Sequence, residues 1–430
     1  MTYEEALSYL YSQLPMFSRI GAAAYKVDIH NTVAICEVLG NPQNKFKSIH
    51  IAGTNGKGST SHMLAAILQQ QGFKTGLYTS PHIKDFGERI RINGNMIDKD
   101  FVVSFTEKTK SICQDIQPSF FELTVAMAFE YFALHKVDIA VIETGVGGRL
   151  DSTNIINPIL SIITNIGYDH TNLLGNTLEA ISFEKAGIIK NNTPVVIGEY
   201  LPETKPVFEN KAREMNAPIL YASEIYEVTL LENSNQFLKC EVKDNTNQHA
   251  KIFALDLNGN YQLKNLKTVL AAEKILATIG FEIDEPNEKF ALANVKTITG
   301  LKGRWDVVSE KPLCIHDVAH NKDGIHALLQ QLEENHSNAN YHFVIGFVND
   351  KDISSVLDLL PNNANYYFTN AHIPRALPHA ELKSMANEKN LNGESYDDVN
   401  EAISAAKKIA DENDVIVVCG SFFILAEVNQ

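Results

Sequence analysis

The chain has 430 residues, 44% of them apolar and 21% charged, which is the profile of a globular protein too long for one core. A formal charge of −15, from 37 basic against 52 acidic residues, excludes nonspecific nucleic-acid binding, because no basic stripe stands out to neutralise phosphates. No apolar run is long enough to span a membrane, the segment around Glu4 and Glu5 lacks the basic start of a secretory signal, and the five dispersed cysteines form no CxxC pair, so free thiols and a cytoplasmic location are expected.

In chain order, Thr2 to Leu14 reads as a helix, Met16 to Asp28 as a mixed stretch, and Asn31 to Leu39 as a second helix closed by Gly40-Asn41-Pro42. Ser48 to Ala52 reads as a buried strand. It turns through Gly53, Thr54, Asn55, Gly56, Lys57, Gly58, Ser59 and Thr60 into a helix whose Met63, Leu64, Ile67 and Leu68 fall on one face. Strand, glycine-rich turn and helix in that order make a phosphate cradle: backbone N–H groups converge on an anion at the positive end of a helix dipole. Lys57 would reach the β- and γ-phosphates, and Ser59 or Thr60 would face Mg²⁺. Gly58 between Lys57 and Ser59 departs from the usual G-K-[ST] ending.

Lys74 to Thr79 is a further strand, and the polar passage Ser80 to Ile90 after it is a candidate binding loop, since ligands of open α/β sheets sit beyond the carboxyl ends of strands. Helices are expected at Asp100 to Asp115, Ser119 to His135 and Thr177 to Ala186. Asp138 to Glu143, Ile159 to Thr164 and Val195 to Ile197 suit parallel strands buried on both faces. Glu143 ends such a strand, where a P-loop enzyme places a metal-holding carboxylate; a charged strand cap is the plainer reading. Arg149 and Asp151 follow in a glycine-rich loop, with ligand orientation or a surface role both open. Asp169 and His170 end the next strand, His170 as a metal ligand or a structural histidine, and Lys185 lies near a helix C-terminus.

Glu224 to Leu257 changes character: alternating segments split by Asn- and Gln-rich turns read as a small antiparallel appendage. Helices at Leu263 to Ile279 and Glu288 to Lys296 follow. The glycines of Ile298 to Gly303 mark a boundary, giving units 1–298 and 299–430. The second restarts a doubly wound α/β pattern, with strands at Leu313 to Asp317, Tyr341 to Ile345, Tyr366 to Thr369 and Val415 to Cys419 and helices between them. It has no GxGxxG fingerprint. Arg304, Asp317, His320 and Ser421 all follow the linker or a strand end, and a cleft between two such units would close over nucleotide and substrate.

The motifs together resemble the folylpolyglutamate synthase/dihydrofolate synthase family of the Mur ligase superfamily. The resemblance rests on GTNGKGS at Gly53 to Ser59, SPHIKDFGERIRING at Ser80 to Gly94, ETGVGGRLDSTN at Glu143 to Asn154, the stretch Thr164 to Lys190, LKGRWD at Leu301 to Asp306 and DVAHN at Asp317 to Asn321. Gly58 is the family's own form of the loop. The resemblance implies a Mur ligase fold: a P-loop ATPase domain with a mostly parallel sheet and an antiparallel appendage, then a smaller Rossmann-like domain. It implies ATP-dependent amide synthesis through an acyl phosphate, with dihydropteroate or reduced folate and L-glutamate as substrates, two Mg²⁺ ions and a monomeric chain. By position, Ser80 and Glu143 match ligands of one Mg²⁺, Glu143 and His170 those of a second, and Lys185 the family lysine that is carbamylated. Asn265, Arg304 and Asp317 match nucleotide positions, and His320 and Ser421 positions for the incoming glutamate. His82, Phe86 and Arg89 are candidate contacts to the pterin-bearing acceptor. A bifunctional enzyme is the expectation, from the SPH form of the acceptor loop. Two other readings share the phosphate chemistry: a peptidoglycan Mur ligase, separated by its UDP-linked acceptor, and an ATP-hydrolysing switch, which would not need His170, Lys185 and a second unit aimed at one cleft.

Overall fold

The computed structural model describes residues 1–16, 21 and 28–429; most of the expected mixed stretch from Met16 to Asp28 lies outside them. The first sheet has eight strands: β1 (Lys47–Ala52), β2 (Thr75–Tyr78), β3 (Ile90–Ile92), β4 (Asn95–Met96), β5 (Ile139–Glu143), β6 (Leu160–Ile163), β7 (Val195–Ile197) and β8 (Ile219–Tyr221). Their order is β4-β3-β2-β5-β1-β6-β7-β8. Along that order the strands from β2 through β5, β1, β6 and β7 to β8 are parallel, and β3 alone is reversed, pairing antiparallel with both β2 and β4. Such strands are apolar throughout because helices cover both faces. Helix Lys57–Gln70 packs on one face with Gln262–Thr278 and Glu285–Leu292, while Phe120–Leu134 lies on the other. Ser119 starts the latter helix with a capping box completed by Glu122.

The appendage is a three-stranded antiparallel sheet of β9 (Tyr226–Asn233), β10 (Leu238–Asp244) and β11 (Ala250–Leu255). Leu238, Cys240, Val242, Phe253 and Leu255 belong to the same apolar core as Leu266 and Val269 of helix Gln262–Thr278. It therefore braces the helix that carries Asn265 toward the P-loop.

The second unit is a six-stranded sheet of β12 (Asp306–Glu310), β13 (Leu313–His316), β14 (Tyr341–Ile345), β15 (Asn365–Phe368), β16 (Gly393–Ser395) and β17 (Val415–Cys419), in the order β12-β13-β17-β14-β15-β16. All neighbours are parallel except β12 with β13. Both α/β patterns and the appendage are thus as expected, and all five cysteines are buried free thiols. No described helix is long and apolar enough to cross a membrane.

Several elements differ from the sequence expectation. The loop after Thr79 holds a 3₁₀ turn, Phe86–Arg89, and then the β3–β4 hairpin. Its turn is Asn93-Gly94 with φ of 48° and 76°, the left-handed pair that a two-residue hairpin requires. The helix expected at Glu288 to Lys296 is two helices, Glu285–Leu292 capped by Asp284 and Val295–Thr299 ended by Gly300. Helix Lys205–Glu214 and the edge strands β8, β12 and β16 were not expected; each strand is short or polar, as sheet edges commonly are.

Candidate active site

Register brings the polar strand ends together. Ile51 pairs with Glu143, Ala52 with Ile163 and Tyr78 with Ile142, so the chain leaves β1, β5, β6 and β2 at one edge of the sheet. With strands about 4.8 Å apart, the P-loop, Glu143, Ser80 and the Asn165 to His170 segment become neighbours. The β6 end braces the P-loop: Asn55 N donates to Asn165 Oδ1 (2.9 Å), Thr54 N to Asn165 O (3.0 Å), and Thr164 Oγ1 to Asn55 O (2.6 Å). Gly56 precedes the helix at φ +82°, and a Cβ there would lie 2.2 Å from Asn265 Oδ1. The position therefore demands glycine both for conformation and for space. No side chain caps that helix, so its first N–H groups point at the loop.

Two lysines share one acceptor. Lys57 Nζ donates to Gly53 O (3.0 Å) and Thr54 O (3.2 Å), and Lys185 Nζ donates to the same Gly53 O (2.8 Å). Burial lowers the Lys57 pKa against the pull of Glu143 and Asp169. Burial, helped by Lys57, lowers that of Lys185 to about 7. An anion entering the loop would relieve both, which is what a polyphosphate does. Glu143 is buried, its Oε2 accepting from Ser80 N (3.0 Å), and burial raises its pKa although Lys57 opposes this. Arg304 closes the other side: a Cβ on Gly58 would lie 3.2 Å from Arg304 Nη2 and 3.9 Å from Glu143 Oε1. Its guanidinium stacks over Phe422 at 5.2 Å.

These groups line a cavity of about 920 Å³ between the two units. Of the residues singled out in the sequence, Gly53 through Ser59, Ser80, His82, Arg89, Glu143, His170, Lys185, Asn265, Arg304, Asp317, His320 and Ser421 all reach its wall. Two do not. Thr60 is fully buried behind the loop with no hydrogen-bond partner for its hydroxyl, so Ser59 alone presents one to the cavity. Phe86 packs behind the wall against Phe120 and His82, at ring distances of 6.1 and 6.4 Å, and its slot is filled at the surface by Phe120 and Phe121. Arg149 also turns away, onto Glu184 (2.8 Å), while Asp151 holds the backbone N–H groups of Gly145 and Val146 and shapes the loop after β5.

In the loop after β2, His82 Nδ1 accepts from Arg89 Nε (2.7 Å), and Arg89 lies over the Phe120 ring at 5.1 Å. Burial and Arg89 push the His82 pKa down to about 3, so the ring is neutral and carries its proton on Nε2, a donor. On the second unit, Asp317 accepts from Tyr261 Oη (2.8 Å), Trp305 N (2.8 Å) and Ala319 N (2.8 Å). His320 Nδ1 donates to Val318 O (2.9 Å), and Ser421 caps the last helix through Phe423 N (3.1 Å).

Sequence reasoning did not single out Tyr261, Gln262, Lys351 or Arg375. Gln262 Nε2 donates to Ser59 Oγ (3.1 Å) and its Oε1 accepts from Asn265 Nδ2 (2.7 Å), tying the P-loop to the appendage-braced helix. Gln262 carried no signal, being one more polar residue at a helix start. Lys351 did: it lies in the loop after the apolar strand β14, the same kind of position that drew attention to Glu143.

Comparison with known proteins agrees with this geometry. Residues 51–273 match the Mur ligase middle domain, and residues 303–422 the Mur ligase glutamate ligase domain. The chain is 32% identical to the dihydrofolate synthase/folylpolyglutamate synthase of Bacillus subtilis, over 100% of this chain and 98% of that one. It is 31% identical to the folylpolyglutamate synthase of Lacticaseibacillus casei, with the same coverage. Among solved structures, Escherichia coli FolC in complex with DHPP and ADP superposes with a TM-score of 0.86 at 30% identity, covering 99% of this chain and 96% of that one. The bifunctional enzyme of Yersinia pestis complexed with AMPPNP and Mn ion gives 0.82 at 28% identity, covering 99% and 97%. With its P-loop, strand-end carboxylate and two facing α/β units, the chain belongs to the dihydrofolate synthase/folylpolyglutamate synthase family of Mur ligases.

Proposed function

We propose that the chain is an ATP-dependent amide ligase that joins L-glutamate both to dihydropteroate and to the γ-carboxyl of tetrahydrofolate polyglutamates. The observation that carries the reading is the convergence of Lys57, Glu143 and Arg304 on the P-loop, across one cavity from the neutral His82 and the aromatic wall of Phe120 and Phe121. An apolar slot with a few polar groups suits a pterin-bearing acceptor. The acceptor carboxylate attacks the γ-phosphorus, and ADP leaves from the resulting acyl phosphate. The glutamate amine then attacks the acyl carbon, the tetrahedral adduct collapses, and inorganic phosphate departs with the oxygen that bound it to the acyl group. Lys57 and Arg304 neutralise the charge that builds on the transferring phosphoryl group in a site screened from water. The two units, facing each other, exclude the water that would hydrolyse the acyl phosphate.

The donor set beside the loop, a buried carboxylate and the Ser59 hydroxyl, is the hard-oxygen kind that suits Mg²⁺. Ser59, Ser80 and Glu143 would hold one ion, and Glu143, His170 and a carbamylated Lys185 a second. A lysine with a pKa near 7 supplies the neutral amine that adds CO₂. Mg²⁺ would supply charge neutralisation for the transferring phosphoryl group. Among the described residues no three His, Cys, Asp or Glu side chains already converge on one point, so substrate oxygens or the carbamate complete these sites. A crystal grown with Mg²⁺ and an ATP analogue checks both points. Glu143 and His170 atoms should lie about 2.0–2.4 Å from metal, and density should extend from Lys185 Nζ; an ordered metal touching neither residue refutes the assignment. The reaction is assigned to a monomer divided at 298/299, the division being supported by the Gly300 and Gly303 turns before β12.

Dual specificity is tested with purified protein, Mg-ATP and labelled glutamate, offered dihydropteroate in one reaction and tetrahydrofolate in another. Incorporation is expected with both. Incorporation with tetrahydrofolate alone would leave folylpolyglutamate synthesis as the sole activity and His82 without its proposed task.

A further inference from the structure

Ser59 offers its hydroxyl to the cavity from the first turn of helix Lys57–Gln70. Helix hydroxyls have a competing use, donation to the carbonyl four residues upstream. This chain shows it repeatedly: Ser12 donates to Ser8 O (2.6 Å), Thr106 to Val102 O (2.7 Å) and Thr124 to Phe120 O (2.7 Å). For Ser59 that carbonyl is Asn55 O, which already accepts from Thr164 Oγ1 (2.6 Å). Ser59 Oγ instead accepts from Gln262 Nε2 (3.1 Å). Gln262 is fully buried behind the cavity wall, so it reaches the site only through other side chains. It is itself held from several sides. Its backbone N donates to Gly259 O (2.8 Å), and its Oε1 accepts from Asn265 Nδ2 (2.7 Å). The buried Gln331 of the second unit grips the residues before it, donating to Asn258 O (2.8 Å) and accepting from Asn260 N (2.6 Å). Tyr261 Oη donates to Asp317 Oδ2 (2.8 Å), also of the second unit.

These hydrogen bonds run one way, from the Asn265 amide to the Gln262 amide to the Ser59 hydroxyl. A hydroxyl has two lone pairs and one proton. With one lone pair taken by Gln262 the rotor is fixed, and the second lone pair is left for a ligand in the cavity. A divalent cation needs a lone pair aimed at it, and Mg²⁺ demands near-octahedral placement of its ligands. A free serine rotor would have to be ordered as the ion binds, at a cost in entropy. Resting on the ligase reading above, we propose that Gln262 is a positioning residue for metal–nucleotide binding: it holds the Ser59 hydroxyl with its free lone pair toward the divalent cation that accompanies ATP. Because residues 258–262 are gripped by Gln331 and Asp317, the second unit sets the aim of a metal ligand carried by the first.

The test separates binding of the metal from binding of the nucleotide. Gln262→Met keeps the length of the side chain and removes the donor. Calorimetry on the variant saturated with a non-hydrolysable ATP analogue should give a Mg²⁺ dissociation constant about ten- to hundredfold above the parent's, with affinity for the analogue in chelator within about twofold. A general disturbance around Asn265 would move both values together. Ser59→Ala should weaken Mg²⁺ by a similar factor. Adding Gln262→Met to Ser59→Ala should cost nothing further, because the group it positions is gone. Thermal unfolding reports whether each variant is folded. Parental Mg²⁺ affinity in folded Gln262→Met overturns the proposal, and so does an undiminished further loss in the double variant. Parental Mg²⁺ affinity in Ser59→Ala overturns it as well, whether or not Gln262→Met folds. If the parent forms a glutamyl product and these variants bind Mg²⁺ as just described, only this inference falls; if the parent forms none with any acceptor, the ligase reading falls and takes it along.

Discussion

Lys57→Ala is expected to abolish turnover while leaving the fold intact, with kcat falling by about two orders of magnitude or more. Among the described residues Lys57 donates to P-loop carbonyls, Gly53 O and Thr54 O, and Lys185 still serves Gly53 O after the truncation. Burial already disfavours its charge, so removing it takes away little that stabilises the folded state. What is lost is a cation aimed where the phosphoryl charge develops, which makes the effect one on kcat rather than on KM. Steady-state kinetics beside a circular dichroism spectrum checks this. Near-normal kcat in a folded variant would remove Lys57 from the chemistry.

Glu143→Gln is the second large effect. The change is isosteric, and the amide oxygen can still accept from Ser80 N, so local structure should hold. The charge, however, disappears from between Lys57 and Arg304, the two cations within its field. We expect kcat to fall by about two orders of magnitude, since an acid at this strand end is the hard-oxygen ligand a metal-assisted phosphoryl transfer relies on. The Mg²⁺ concentration for half-maximal rate should rise as well. A variant with parental kcat and parental Mg²⁺ dependence would show Glu143 to be only a strand cap.

The P-loop was legible because three signals coincide there: an apolar strand, glycines at fixed spacing and an amphipathic helix. Glu143, His170 and Asp317 were legible by one rule, polar residues at the ends of apolar strands, and the parallel sheets make that rule work by aligning those ends. The same rule applied to β14 would have found Lys351. Phe86 was misread because its neighbours in sequence reach the cavity; the 3₁₀ turn Phe86–Arg89 sends its ring inward and leaves Arg89 at the wall. Of the two hydroxyls the sequence leaves open, Thr60 is the one turned aside, since one step along a helix turns a side chain by about 100° and carries it away from the cavity that Ser59 faces. The β3–β4 hairpin is signalled by Asn93-Gly94 alone, because strands Ile90–Ile92 and Asn95–Met96 are too short to show an alternating pattern. Gln262 and Arg375 could not be read at all: their roles come from contacts across more than 200 residues of sequence with Ser59, and from a cavity that exists only once both units are folded.

The proposed reaction passes through an acyl phosphate formed by the acceptor carboxylate, and one measurement addresses that step alone. An acceptor carrying heavy oxygen in its reacting carboxyl is turned over with Mg-ATP and L-glutamate, and the released phosphate is examined by mass spectrometry. The acceptor oxygen that attacked the γ-phosphorus leaves with the phosphate, so one heavy oxygen per phosphate is expected. Phosphate without the label, released as the amide forms, would contradict the mechanism.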